Sequence, residues 1–179
     1  MRTSLQRMKG IAATPEVAAV NFEPGFIDDN KYKMTKEIEI RLATDSTRTP
    51  IISLLKSENL PTEDLPQGLG NFLAAFHQNE LVGTIGLEKY GNCGLLRSLV
   101  VNAKYRNEHV AEKLVHKLET QALELGINCI YLLTETASGY FKKKGYQEVN
   151  RADVPNVLHE SSEFSHVCPK SAIVMNKVL

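Results

Sequence analysis

The chain has 179 residues, 42% of them hydrophobic, enough to bury one full core and short for two. Its 21 basic and 21 acidic residues cancel to a formal charge of zero, so no global field draws it to nucleic acid or an anionic membrane, and an anionic ligand must be held locally. Cys93, Cys129 and Cys168 are odd in number and lack CxxC spacing, which argues for reduced thiols in a cytoplasmic protein and against a disulfide framework or a bound metal.

Residues 1–36 show no sustained period and carry Pro15, Pro24 and Gly25. They read as an N-terminal appendage, disordered or laid over a surface, with a short helix near Glu16 and Val20. Arg2, Arg7 and Lys9 precede an apolar stretch that Pro15 and Glu16 interrupt, so neither a secretory signal nor a membrane span is expected. The remaining residues, 37–179, form the expected domain. Ile38 and Ile40 alternate with charged residues as a half-buried strand, and Asp45 or Ser46 is placed to cap a helix containing Ile51, Leu54 and Leu55. After the break at Leu60 and Pro61, strands over 72–76 and 81–87 flank a polar turn, and a third strand follows over 95–101.

From Val110, apolar positions three or four apart (Leu114, Leu118, Ala122, Leu125) define one helical face, and Gly126 ends it as a left-handed residue followed by Ile127. The run 129–133 is apolar throughout, as in a strand covered on both faces. Strand, helix and strand here make a βαβ unit. A helix over 137–144, a strand over 146–149, a polar irregular loop over 151–169 with a turn or two of helix, and a last strand over 172–177 complete the chain.

The most informative junction is Arg106-Asn107-Glu108-His109-Val110-Ala111, between a strand and the amphipathic helix. The first N–H groups of a helix lack intrahelical partners and the helix dipole favours negative charge, so phosphate can be held there without a surplus of basic side chains. The segment resembles the acetyl-CoA pyrophosphate loop of GNAT acetyltransferases, a Gln or Arg, two residues, Gly, one residue, then Gly or Ala. Arg106 and Ala111 match that pattern. His109 and Asn107 stand where glycines are usual, and both residue types tolerate a left-handed backbone. The order of elements over residues 38–177 and the segment Phe141-Lys142-Lys143-Lys144-Gly145-Tyr146 also resemble the family. The segments Leu95-Leu96-Arg97-Ser98-Leu99, Tyr131-Leu132-Leu133-Thr134-Glu135-Thr136-Ala137 and Cys168-Pro169-Lys170-Ser171-Ala172 are similar to the GNAT subgroup named for its association with arsenic-resistance genes.

The resemblance implies a mixed α/β fold: a mostly antiparallel N-terminal sheet followed by a βαβ unit that binds CoA. It implies acetyl-CoA as co-substrate, a small-molecule amine as acceptor, neither nucleic acid nor membrane as partner, and it allows a homodimer. The expected cofactor contacts are Leu99, Val100 and Val101 along the pantetheine, Arg106, Asn107, Glu108, His109, Val110 and Ala111 at the pyrophosphate, and Tyr140. Because an alkyl amine has a pKa of about 10, its proton must be removed or the amine desolvated. Glu135, past the end of an apolar strand, is the candidate base, or alternatively only a helix-start residue. Arg97, interrupting an apolar strand, is the candidate partner for a carboxylate on the acceptor, or alternatively a salt-bridged strand residue, and Ser98 is a candidate hydrogen-bond donor. The family's general acid, a tyrosine, is replaced by Phe141. His109 and Phe141 thus leave a second reading open, a CoA-binding module without turnover.

Overall fold

The computed structural model describes residues 37–179. The appendage expected over 1–36 lies outside the described residues. Seven strands make one sheet in the order β1-β2-β3-β4-β5-β7-β6. They are β1 (Glu39–Leu42), β2 (Phe72–His77), β3 (Glu80–Tyr90), β4 (Cys93–Val101), β5 (Cys129–Thr134), β6 (Gln147–Val149) and β7 (Ile173–Val178). Among the paired neighbours, only β4 and β5 run parallel. The helices are α1 (Asp45–Ser57), α2 (Val110–Glu124), α3 (Ser138–Lys142) and the short α4 (Asn156–His159).

The alternation of side chains along β2 and β4 divides the core. Leu73, Ala75 and Leu96 face α2 and pack with Leu114, Val115 and Leu118, while Phe72 and Val100 face α1 and pack with Ile51 and Leu55. Further along that second face, Cys93, Leu95, Tyr131 and Val174 meet Val154, Leu158 and Phe164 from the segment between β6 and β7. That segment is therefore part of the wall, built from a 3₁₀ turn at Arg151–Asp153, α4 and a π-helical turn at Glu163–Val167.

Local chemistry explains the element ends. α1 is capped one residue earlier than the sequence suggests: Thr44 is the N-cap, and its backbone N–H donates to Thr47 Oγ1 at 2.9 Å. α2 ends as expected, with Gly126 at φ 74° and the Ile127 N–H bonded to the Ala122 carbonyl at 2.9 Å. The hairpin between β2 and β3 is tighter than expected, because Gln78 and Asn79 both adopt positive φ and β3 begins at Glu80. β3 is correspondingly longer, and α3 is shorter than the expected 137–144, since Gly145 at φ 88° turns the chain toward β6. Cys93 and Cys129 are register partners on β4 and β5, free thiols with sulfurs 2.9 Å apart.

Candidate active site

The site begins with a mismatch in strand length. β4 and β5 pair only where Cys93, Gly94 and Leu95 face Cys129, Ile130 and Tyr131, yet β4 continues to Val101 and β5 to Thr134. A bulge drives them apart. Between Thr84 and Gly86 of β3, β4 advances from Val100 to Arg97 and so carries one extra residue, and Ser98 adopts φ 56°. The extra residue also resets the phase, so that Leu96 and Leu99 both turn toward the α2 side. Gly86, opposite Arg97, is required here: a Cβ on it would come within 2.4 Å of the Phe72 ring.

The gap is a cleft of about 380 Å³ between the bulged part of β4 and the end of β5. Ser98 and Leu99 line one side and residues 133–137 the other, while Phe141, Glu163 and Cys168 close it. Glu135 is exposed on that lining. The start of α3 is satisfied without it, because the Ala137 N–H donates to Thr134 Oγ1 at 2.9 Å. The helix-start role considered for Glu135 or Thr136 thus falls to Thr134.

At one end of β4 the chain passes through a 3₁₀ turn (Ala103–Tyr105) into the start of α2. Asn107 has φ 65° and His109 φ 58°, so the two residues that replace glycines adopt the left-handed backbone a glycine would. The imidazole Nδ1 of His109 is 2.9 Å from Glu112 Oε2, which leaves the ring turned back along α2. Arg106 pairs with Glu58 beyond the end of α1. Val110 and Val100 are buried in the core, so any contact they make to a ligand comes from their backbone. The loop conformation and the unpaired stretch of β4 fit acetyl-CoA: backbone N–H groups at the helix start for phosphate, and an open strand edge along residues 99–101 for an amide-bearing arm.

Tyr140 does not line the cleft. Its ring meets Phe141 edge-on at 5.2 Å and Lys144 Nζ sits 5.8 Å from its centroid, and burial followed by the charges of Glu112 and Glu119 raises its phenol to about 12. Phe141 takes the place on the cleft wall, with no proton to give.

Of the two readings of Arg97, the structure shows the salt-bridged strand residue. Its side chain is 2% exposed. The guanidinium donates from Nη2 to Asp64 Oδ2 at 2.7 Å, from Nη1 to Glu88 Oε1 and from Nε to Ser98 Oγ at 3.4 Å, and its Nε also lies 3.3 Å from Glu163 Oε1 as an ion pair. Burial alone would lower its pKa, and the carboxylates of Glu163, Glu88 and Asp64 more than offset that. All three nitrogens are committed inside the protein, so the acceptor carboxylate expected beside Arg97 finds that cation already neutralised.

A model described as the acetyltransferase (GNAT) family matches residues 40–146. The chain belongs to the GNAT acetyltransferase family. It is 30% identical over 109 residues to an uncharacterised N-acetyltransferase of Chlorobaculum tepidum, covering 60% of this chain and 68% of that one. A GNAT-family acetyltransferase structure from Staphylococcus aureus superposes with a TM-score of 0.63 at 26% identity, over 80% of this chain and 99% of that one. N-acetylglutamate synthase from Neisseria gonorrhoeae, solved with coenzyme A and L-arginine, shares the fold with a TM-score of 0.69 at 18% identity. That match covers 79% of this chain, which spans a third (33%) of the synthase's length.

As a GNAT acetyltransferase the chain is an acetyl-CoA-dependent acyltransferase. Among the described residues no helix is long and apolar enough to cross a membrane, and no group of three or more His, Cys, Asp or Glu could hold a metal ion.

Proposed function

We propose that this GNAT protein transfers the acetyl group of acetyl-CoA to a primary amine of a small molecule seated between β4 and β5. The observation that carries the reading is the cleft itself, open between diverging strands and flanked by the left-handed turn at Asn107 and His109. Residues 107–111 hold the pyrophosphate through backbone N–H groups and residues 99–101 hold the pantetheine, with Ser98 at the reacting end. Acetyl-CoA supplies an activated acyl group whose thiolate leaves readily, which is why Phe141 in place of a phenol is tolerated. Glu135 on the open lining draws the ammonium form of the acceptor into the cleft.

The segments shared with the arsenic-resistance-associated subgroup support a closer kinship within the family, and they specify no acceptor. Dependence on acetyl-CoA together with free thiols at Cys93, Cys129 and Cys168 supports a cytoplasmic setting. The test is release of free thiol from acetyl-CoA across primary amines, secondary amines and alcohols. Release with primary amines, with the amine KM raised several-fold in Glu135→Gln, is expected. Equal release with alcohols would contradict an amine acceptor.

A further inference from the structure

The polar residues behind the cleft do not balance. Three carboxylates, Asp64 from the connection between α1 and β2, Glu88 from β3 and Glu163 from the π-helical turn, surround the single guanidinium of Arg97. Tyr90 donates its hydroxyl to Glu88 Oε2 at 2.7 Å, a neutral bond that leaves the charge count unchanged. Asp64, its side chain 7% exposed, has an Oδ1 without a hydrogen-bond partner among the described residues. Of the described residues lining the cleft, Arg97 is the only basic one, and Glu135 and Glu163 are acidic.

Of the three carboxylates, Glu163 is the one that reaches the cleft. Its side chain is 11% exposed; Oε1 lies 3.3 Å from Arg97 Nε as an ion pair, the Nε–H itself being directed at Ser98 Oγ, and Oε2 accepts only the long Sγ–H contact of Cys168 at 3.8 Å. The carboxylate is therefore held in place by Arg97 while one oxygen keeps capacity for a strong donor. The surplus of negative charge in this poorly solvated wall is relieved by a bound cation and worsened by a bound carboxylate.

Resting on the acetyl-transfer reading above, we propose that Glu163 receives the proton of the acceptor's ammonium group, and that the acidic wall behind it selects an amine carrying further positive charge and no carboxylate near the reacting nitrogen. The acceptor gives one proton to the Glu163 carboxylate. Its freed electron pair forms the N–C bond to the acetyl carbon as the C–S bond breaks and the sulfur keeps that bond's electrons. A second N–H proton ends on the sulfur, the third stays on the amide, and Glu163 returns its own to solvent. The groups facing Glu163 suit that task. Burial raises its carboxyl, Asp64 and Glu88 add to the rise, Arg97 opposes it, and the result is about 7, where a base is both ionised and able to hold a proton at neutral pH.

The test combines binding with turnover. In calorimetry on the CoA-saturated protein, 1,5-diaminopentane should bind at least about tenfold more tightly than glutarate, and Glu163→Gln should lose most of that preference. Tighter binding of glutarate would overturn the selection of a cation. With acetyl-CoA and the diamine, kcat/KM of the wild type should rise with pH and level off above about 7. Glu163→Gln should lower kcat by roughly 10²–10³-fold and lose that acid limb, and Glu163→Asp should restore part of both. Glu163→Gln with wild-type kcat and the same acid limb would overturn the assignment. Arg97 keeps Asp64 and Glu88 in that variant, so its fold is expected to survive, and circular dichroism checks it. If acetyl-CoA binds but no amine releases thiol, acetyl transfer to amines fails, whereas the calorimetry still decides between cation and carboxylate.

Discussion

Arg97 Nη2 lies 2.7 Å from Asp64 Oδ2, with the two side chains 2% and 7% exposed. This contact holds the connection after α1 against the middle of β4 and places the guanidinium behind the acceptor cleft. Removing the one cation of such a group strands carboxylates that are expensive to bury unpaired, typically by about 3–5 kcal/mol. Arg97→Met should therefore lower unfolding free energy by roughly that amount, read as a drop in urea midpoint at unchanged slope. A variant of unchanged stability whose only defect is a raised acceptor KM would restore Arg97 to substrate binding.

Glu163 contributes to stability with the opposite sign from an ordinary salt-bridged carboxylate. Its folded-state pKa is raised from 4.5 to about 7, so the folded chain binds its proton more tightly than the unfolded chain does. The contribution is fully present below pH 4.5 and is lost as pH rises through about 7. Glu163→Gln should accordingly gain stability relative to wild type between pH 5 and pH 8, by up to about 3 kcal/mol. Urea unfolding of both proteins at the two pH values gives the comparison. A difference that shrinks as pH rises would show that Arg97 dominates Glu163 after all.

The left-handed backbone at His109, φ 58°, is accessible to histidine and costly for a β-branched residue. His109→Gly should bind CoA at least as well as wild type, while His109→Val should weaken binding about tenfold, a cost of about 1–2 kcal/mol. Calorimetry with CoA measures both. A large loss in His109→Gly would mean that the imidazole itself contacts phosphate.

The framework of the site could be read from the sequence because its signals are local. The period of α2, its glycine stop and the apolar run of β5 each lie within a dozen or so residues, and together they locate the loop at Arg106 and the strand ends around the cleft. Asn107 and His109 were legible as left-handed residues for the same reason. The partners of Arg97 were not, because Asp64 lies 33 residues away and the others come from β3 and from the segment after β6. The place of Glu163 beside Arg97 had no such signal, since a polar irregular stretch gives no period. A signal existed in Val154, Leu158 and Phe164, apolar residues in an otherwise polar segment, which pack on the sheet with Cys93, Leu95 and Tyr131.

Cys168 reports on the charge of Glu163. Burial, then the charge and hydrogen bond of Glu163, push its thiol up to about 12, so it should react slowly with iodoacetamide at pH 8, when almost no thiolate exists. Glu163→Gln should speed that alkylation several-fold, followed by peptide mass spectrometry. An unchanged rate would mean that Glu163 carries no charge at pH 8, contrary to its role as proton acceptor.

The central claim, acetyl transfer to nitrogen in the cleft between β4 and β5, is tested most directly by following the acetyl group. Wild-type protein is incubated with isotopically labelled acetyl-CoA and 1,5-diaminopentane, and the label is located by mass spectrometry. The predicted result is label on the diamine as its N-acetyl derivative, in proportion to the thiol released. Label found only in free acetate, or thioester left intact by protein that binds acetyl-CoA, would contradict it.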